Sequence, residues 1–403
     1  MSAPAGSTES IHLPGGFSFS AVAAGSKASG RLDLALAEAA PGTTAAAVFT
    51  KNRVIAAPVQ IGRKHLRATG SHVRAVIVNS GNANCATGKA GIKDCLQVCR
   101  KASDLLGFKA ELVFPSSTGI IGMPMPVSKI LTAIPALVSV RETGEHAVTQ
   151  FARALMTTDT RPKLASAQFQ AGRKNISILG IAKGSGMIHP QLATMLVYLF
   201  TDLAATPAEL KQWLRAACDE TFNCLSVDGD TSTNDTVLLM ASGQSEVRLG
   251  AVENKFQAAL HRVCGSLAEQ IVSDGEGVRH VIRLSVEQAR SRDEALHLAR
   301  SIARSLLVKT AWAGADPNWG RILAAIGASG VGIDPKKVTI FIGRQVVCRG
   351  GVACAFDEAE AHRDLAQPSC DVRIKLRRGR VSVLFLTSDL TTEYVRINAD
   401  YST

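Results

Sequence analysis

Short apolar runs alternate with helical patterns along the whole chain, with no internal repeat and no long low-complexity linker, so the sequence predicts a mixed α and β fold. Residues 75–78 (AVIV) read as a buried strand running into a polar, glycine-containing loop with Asn79, Ser80, Gly81, Asn82 and Asn84. Side-chain amides in such a loop stabilise a turn or furnish a site. Residues 194–201 (TMLVYLFT) form a continuous apolar run suited to a strand buried on both faces, and the preceding KGSGMIHP of residues 183–190 breaks regular structure. Thr194 is therefore expected to head a central strand and face a flexible loop. Thr206 and Glu209 predict a capping box with Pro207 at the first helical position, and Leu210, Trp213, Leu214 and Ala217 share one face. Ser291 and Glu294 repeat the device ahead of Ala295, Leu298, Ile302 and Leu306. Near the C-terminus, Val372, Ile374 and Leu376 alternate with charged residues, Arg378-Gly379 offers a turn, and Val381, Val383 and Phe385 alternate again. That pattern predicts a hairpin with one buried face.

Composition adds size and partners. A chain of 403 residues, 46% hydrophobic and 20% charged, is that of a globular protein with two or three compact units around a shared core. Aromatics are only 5%, so aliphatic side chains and Ala must fill that core. The net charge of +11 raises the question of polyanions, but Lys and Arg are scattered. The densest cluster, Lys375, Arg377, Arg378 and Arg380, reads as a solvated hairpin turn, so no nucleic acid partner is expected. Nine cysteines without a CxxC pair point to reduced thiols, with Cys95 and Cys99 packed on a helix. The N-terminus has no basic start followed by an apolar stretch, and no uninterrupted apolar run is long enough to span a bilayer. A cytoplasmic, soluble protein without membrane contact is expected.

The chain has no phosphate-binding GxxxxGK[ST], no HExxH, no GxSxG and no dinucleotide-binding glycine set, and its histidines stand singly. His189, beside the glycine-rich stretch, is expected to be a surface or structural residue. Five segments carry a different signal: KGSGMI (183–188), ATML (193–196), SVDGDTSTNDT (226–236), DPNWGR (316–321) and the terminal INADYST (397–403). In this order, spread over nearly the whole chain, they resemble the ornithine acetyltransferase family of arginine biosynthesis, also called glutamate N-acetyltransferases. The chain departs from the family's pattern at His189, where a small residue is common, and in the order Cys85-Ala86.

The resemblance implies an α/β (α+β) fold, a self-processing layered sandwich of sheets flanked by helices, with a smaller C-terminal α/β domain at roughly residues 285–385. It also implies a precursor that cuts itself between Ala193 and Thr194 into pieces 1–193 and 194–403, which stay together as a heterotetramer. Residue chemistry supports the same nucleophile. A freed N-terminal Thr carries its own base, an α-amine titrating at about 7.7–8.0, so no His is required. The activity implied is acetyl transfer from N-acetylornithine to glutamate through an acetyl-Thr194 enzyme, without a cofactor; acetyl-CoA is a further donor in some family members, and the sequence does not say which kind this chain is. By resemblance Thr118 and Gly119 are the oxyanion pair, and Thr157, Lys183, Thr194, Glu276, Asn398 and Thr403 bind the amino-acid substrates; no metal is implied. Lys183 suits a carboxylate and Glu276 the charged amine of ornithine. The rival readings are a self-processing aminopeptidase-like hydrolase of a related fold, in which water meets the acyl-enzyme, and a basic nucleic-acid binder.

Overall fold

The computed structural model describes residues 11–27, 29–189 and 195–400. Its first part holds β1 (Phe17–Val22), β2 (Leu34–Ala39), β3 (Thr44–Phe49), α1 (Ala57–Ala68), β4 (Ala75–Asn82), α2 (Gly88–Leu106), β5 (Val113–Ile120), α3 (Val127–Ser139) and α4 (Glu145–Leu155). The middle gives β6 (Lys163–Ala171), β7 (Lys174–Lys183), β8 (Leu196–Thr201), α5 (Pro207–Glu220), β9 (Leu225–Ser226), β10 (Thr236–Ala241) and α6 (Glu253–Ser273). The last part adds β11 (Val281–Ala289), α7 (Arg292–Ala303), α8 (Leu306–Ala313), α9 (Trp319–Gly327), β12 (Thr339–Ile342), β13 (Gln345–Arg349) and β14 (Val352–Ala353). It closes with α10 (Glu358–Leu365), β15 (Ser369–Lys375), β16 (Val381–Ser388) and α11 (Thr392–Asp400).

Two sheets, in the orders β1-β2-β4-β5 and β3-β10-β8-β7-β6, stack face to face. Phe19, Val76, Val78 and Phe114 of the first meet Ile181, Tyr198, Phe200 and Met240 of the second, and Phe200 touches Phe17 and Phe19 edge-on at 5.0 and 5.2 Å. The outer face of the second sheet is covered by α5 and α6 through Leu210, Leu214, Phe256 and Leu260. The outer face of the first is covered by α2 and α3 through Val98, Ala102, Ile130 and Ile134. The result is a helix-sheet-sheet-helix sandwich, the layered fold expected. Strand β8 lies in the middle of its sheet and is buried on both faces because its side chains alternate between two cores, Val197 and Leu199 to one and Tyr198 and Phe200 to the other. A third sheet, β14-β13-β12-β15-β11-β16-β9, carries α7 to α10 and a core of its own. Among the described residues no helix is long and apolar enough to cross a membrane.

Several local expectations are corrected. The polar run after residue 78 is not a loop: β4 continues to Asn82, because the parallel partner β5 supplies its ladder. The amides there are braces. Asn79 accepts from the Ser117 hydroxyl at 2.5 Å, and Asn82 donates to the Met123 and Pro124 carbonyls at 3.1 Å. Thr118 and Gly119 likewise lie within one continuous strand, β5. The capping box at Thr206 and Glu209 is present, but the helix begun by Ser291 ends at Ala303. Ser305 then caps a new helix, so Leu306 is 66% exposed instead of joining the apolar face. Strands β15 and β16 do not pair as a hairpin, since β11 lies between them, parallel to β15 and antiparallel to β16. Their link crosses the end of β11, where the Arg378 and Gly379 amides donate to the Gln288 carbonyl at 2.9 Å. The link is also less solvated than its charges suggest, as Arg378 grips Glu294 with two contacts of 3.0 and 3.2 Å. All nine cysteines are free thiols, and Cys95 and Cys99 pack in the core beneath α2.

Candidate active site

The sandwich brings five strand ends to one place. Lys183, at the end of β7, stands opposite Leu196 at the start of β8, and Leu196 stands opposite Thr236 at the start of β10. Across from them the parallel ladder of β4 and β5 shifts register at Gly81 and Asn82. Gly119 sits at that irregularity with φ +132°, and a Cβ there would stand 2.3 Å from the Gly81 carbonyl carbon. Only glycine permits both the dihedral and the approach. Asn234, just before β10, donates to the Ala83 and Ser117 carbonyls at 2.7 and 2.8 Å and so ties the two sheets together at this end.

A cleft opens there, lined by Thr118, Gly119, Thr157, Thr158, Lys183, Glu276 and Asn398 among others. The structure thus gathers residues from sequence positions spread over most of the chain. Ala193, Thr194 and Thr403 lie outside the described residues, but Met195, the neighbour of Thr194, is anchored: its amide donates to Asp235 Oδ1 at 3.0 Å.

Beneath the cleft lies a buried ionic cluster in which Lys163 Nζ contacts Asp159 at 2.7 Å and Asp274 at 2.5 Å. Asp159 also accepts the Gly184 amide at 2.7 Å and the Thr157 amide at 3.0 Å, so this carboxylate holds two cleft segments in place. Burial works to raise its pKa, but the ammonium groups of Lys183 and Lys163 and these hydrogen bonds outweigh burial and hold it well below the usual carboxylate range. Lys183 shows the opposite balance: burial lowers its ammonium pKa against the pull of Asp159. It lines the cleft, where an incoming carboxylate would favour the charged form. Glu276 accepts from Asn398 Nδ2 at 2.8 Å, and its carboxylate packs on Gly186 so closely that a Cβ there would stand 2.4 Å away. Burial pushes Asp235 well above the usual range, against the Met195 amide and Lys183. Among the described residues its Oδ2 has no hydrogen-bond partner. Asp235 is therefore a carboxyl whose burial favours its neutral form, next in the fold to the residue that follows Thr194.

Asp159, Lys163, Asp274 and Asp235 carried no sequence-based assignment, although Asp235 stands within the SVDGDTSTNDT segment and Asp159 two residues after Thr157. For Asp235 a signal existed: a carboxyl immediately before the apolar TVLLMA run must be buried with its strand. The expected surface or structural role of His189 meets a half-buried ring whose Nδ1 lies 3.2 Å from Ser226 Oγ. Burial, with Arg304 and Arg300 nearby, lowers its pKa to about 4.

The sequence model of the ArgJ family matches residues 18–403. The chain belongs to the ArgJ family. It is 44% identical over 395 residues to the arginine biosynthesis bifunctional protein ArgJ of Methylococcus capsulatus, covering 96% of this chain and 95% of that protein. Among solved structures, the arginine biosynthesis bifunctional protein ArgJ of Bacillus halodurans is 40% identical, with 51% of this chain and 98% of that one covered and a TM-score of 0.49. The ornithine acetyltransferase of Mycobacterium tuberculosis, solved with ornithine, is 37% identical, with 45% and 94% covered and a TM-score of 0.40. The cleft of this ArgJ protein thus draws all its described lining from within the family match.

Proposed function

We propose that this ArgJ chain cuts itself between Ala193 and Thr194 and then transfers acetyl from N-acetylornithine to glutamate through an acetyl-Thr194 enzyme in arginine biosynthesis. The observation that carries this is the convergence on one cleft of a hydroxyl with a glycine amide (Thr118, Gly119), a lysine (Lys183) and an amide-held carboxylate (Glu276) beside the anchored residue 195. In self-cleavage Thr194 Oγ attacks the Ala193 carbonyl and the acyl group passes from nitrogen to oxygen, freeing the Thr194 amine as the C–N bond breaks; water then hydrolyses the ester, releasing the Ala193 carboxylate and restoring the hydroxyl. That amine next takes the Oγ proton as Oγ attacks the acetyl carbonyl of N-acetylornithine. Thr118 and Gly119 donate to the oxyanion, and the proton leaves with the ornithine amine as the C–N bond breaks. The glutamate amine then attacks the acetyl ester and departs as N-acetylglutamate. Lys183 faces the substrate α-carboxylate and Glu276 the ammonium of ornithine. Thr157, Asn398 and Thr403 complete the binding set.

The cut leaves the fold joined, since β8 of the second piece is paired to β7 of the first and β10 to β3. We assign the pieces to a cytoplasmic heterotetramer, with no resident cofactor and with acetyl-CoA as a second donor. Intact mass and N-terminal sequencing test the cut: the expected result is two pieces, one beginning Thr-Met-Leu-Val. An active enzyme that runs only as full-length chain overturns it. Thr194→Ala should stay uncut and inactive. Incubation with N-acetylornithine, with and without glutamate, separates transfer from hydrolysis, because a hydrolase releases ornithine equally in both.

A further inference from the structure

A second concavity, used by none of these steps, lies beside the catalytic cleft. It is lined by His189, His297, Arg300, Arg304, Ser305 and Ser329 among others. Met187 lines the catalytic cleft and His189 this one, so the two share a wall only two residues of chain wide, at most about 7 Å when extended. Asp228 fixes that wall by accepting the Met187 and Ile188 amides.

The second cleft is basic and uncompensated. Among the described residues Arg300 Nε is buried without a hydrogen-bond partner, and neither Arg300 nor Arg304 makes an ion pair. Asp293, on the same helix, is the nearby carboxylate felt by Arg300, but it is not within bridging distance. His297 Nε2 is spent on the Ser329 carbonyl at 2.9 Å. Ser305, which caps α8, also lines the cleft and brings the positive end of that helix to it. At the start of α8, Leu306 and Leu307 are 66% and 62% exposed.

We propose that this cleft binds the phosphates of acetyl-CoA, placing a donor thioester arm across the shared wall. The inference rests on the acetyl-transfer reading. Guanidinium groups without carboxylate partners favour phosphate, which they bind through paired hydrogen bonds, while the amino-acid substrates already have Lys183 and Glu276 in the other cleft. The exposed leucines offer apolar surface to the rest of the donor. Thr194 Oγ attacks the thioester carbonyl, the C–S bond breaks, the thiol leaves with the Oγ proton relayed through the Thr194 amine, and the acetyl ester then meets glutamate.

The test uses cleaved enzyme carrying Arg300→Gln with Arg304→Gln, beside Arg300→Lys as a charge-retaining control. The KM for acetyl-CoA should rise about tenfold or more, the scale of one lost charge-assisted contact. The KM for N-acetylornithine should not move. Adenosine 3′,5′-bisphosphate should compete with acetyl-CoA in the wild-type protein and not with N-acetylornithine. An unchanged acetyl-CoA KM, a bisphosphate that does not compete, or a wild-type enzyme active with N-acetylornithine yet indifferent to acetyl-CoA overturns the proposal. Failure of the N-acetylornithine reaction in the wild-type protein overturns the acetyl-transfer reading instead.

Discussion

Replacing Lys163 by Met removes the cation shared by Asp159 and Asp274 while keeping a long side chain in a fully buried place. Breaking a buried ion pair typically costs about 3–5 kcal/mol, because it leaves charge uncompensated. Here the loss should fall near the lower end, at about 3 kcal/mol. Asp159 keeps the Thr157 and Gly184 amides and the neighbouring Lys183, and Asp274 keeps the Thr160 amide at 3.1 Å and its hydroxyl. The cost must also depend on pH. Asp159 is depressed in the folded protein, so its stabilisation is fully present above the unfolded carboxyl pKa of about 3.9 and is lost as pH falls through the lower folded value. The difference between Lys163→Met and wild type should therefore be constant near neutrality and shrink below about pH 4 as Asp159 takes up a proton. Denaturant titrations of both proteins from pH 7 down to pH 4 or below measure it. Since Asp159 also holds the Thr157 and Gly184 amides, the KM for N-acetylornithine should rise in folded variant although Lys163 touches no substrate. A loss under about 1 kcal/mol at neutral pH, or a difference that grows on acidification, refutes the assignment of Lys163 as the neutralising partner.

Two further outcomes follow from the cleft. Thr118→Ala in cleaved, folded protein should lower kcat by about 10²–10³ with a much smaller change in KM, because the donor matters most when the carbonyl oxygen carries charge. A change confined to KM would recast Thr118 as a substrate contact. Asp235→Ala leaves the buried Met195 amide without an acceptor and should cost about 1–3 kcal/mol and slow self-cleavage. Asp235→Asn keeps an oxygen acceptor for that amide and should cleave much faster than Asp235→Ala; following cleaved fraction with time for both variants decides this.

What the sequence alone carried was local chemistry and order. The capping box at Thr206 and Glu209 forms because both partners lie within one helical turn. The unbroken apolar run of β8 already demanded burial on both faces, and five motifs in order sufficed to suggest the family. Tertiary structure decided what depends on distant partners. Asn79 to Asn82 became strand because β5 lies alongside, and β15 and β16 were parted because β11, far earlier in the chain, inserts between them. Neither partner can be read from local alternation, which records that a face is buried and not which strand covers its edge. The same holds for Asp159, Lys163 and Asp274. A charged residue in sequence looks solvated, and only the fold, by closing the sandwich over all three, turns them into the buried support of the cleft.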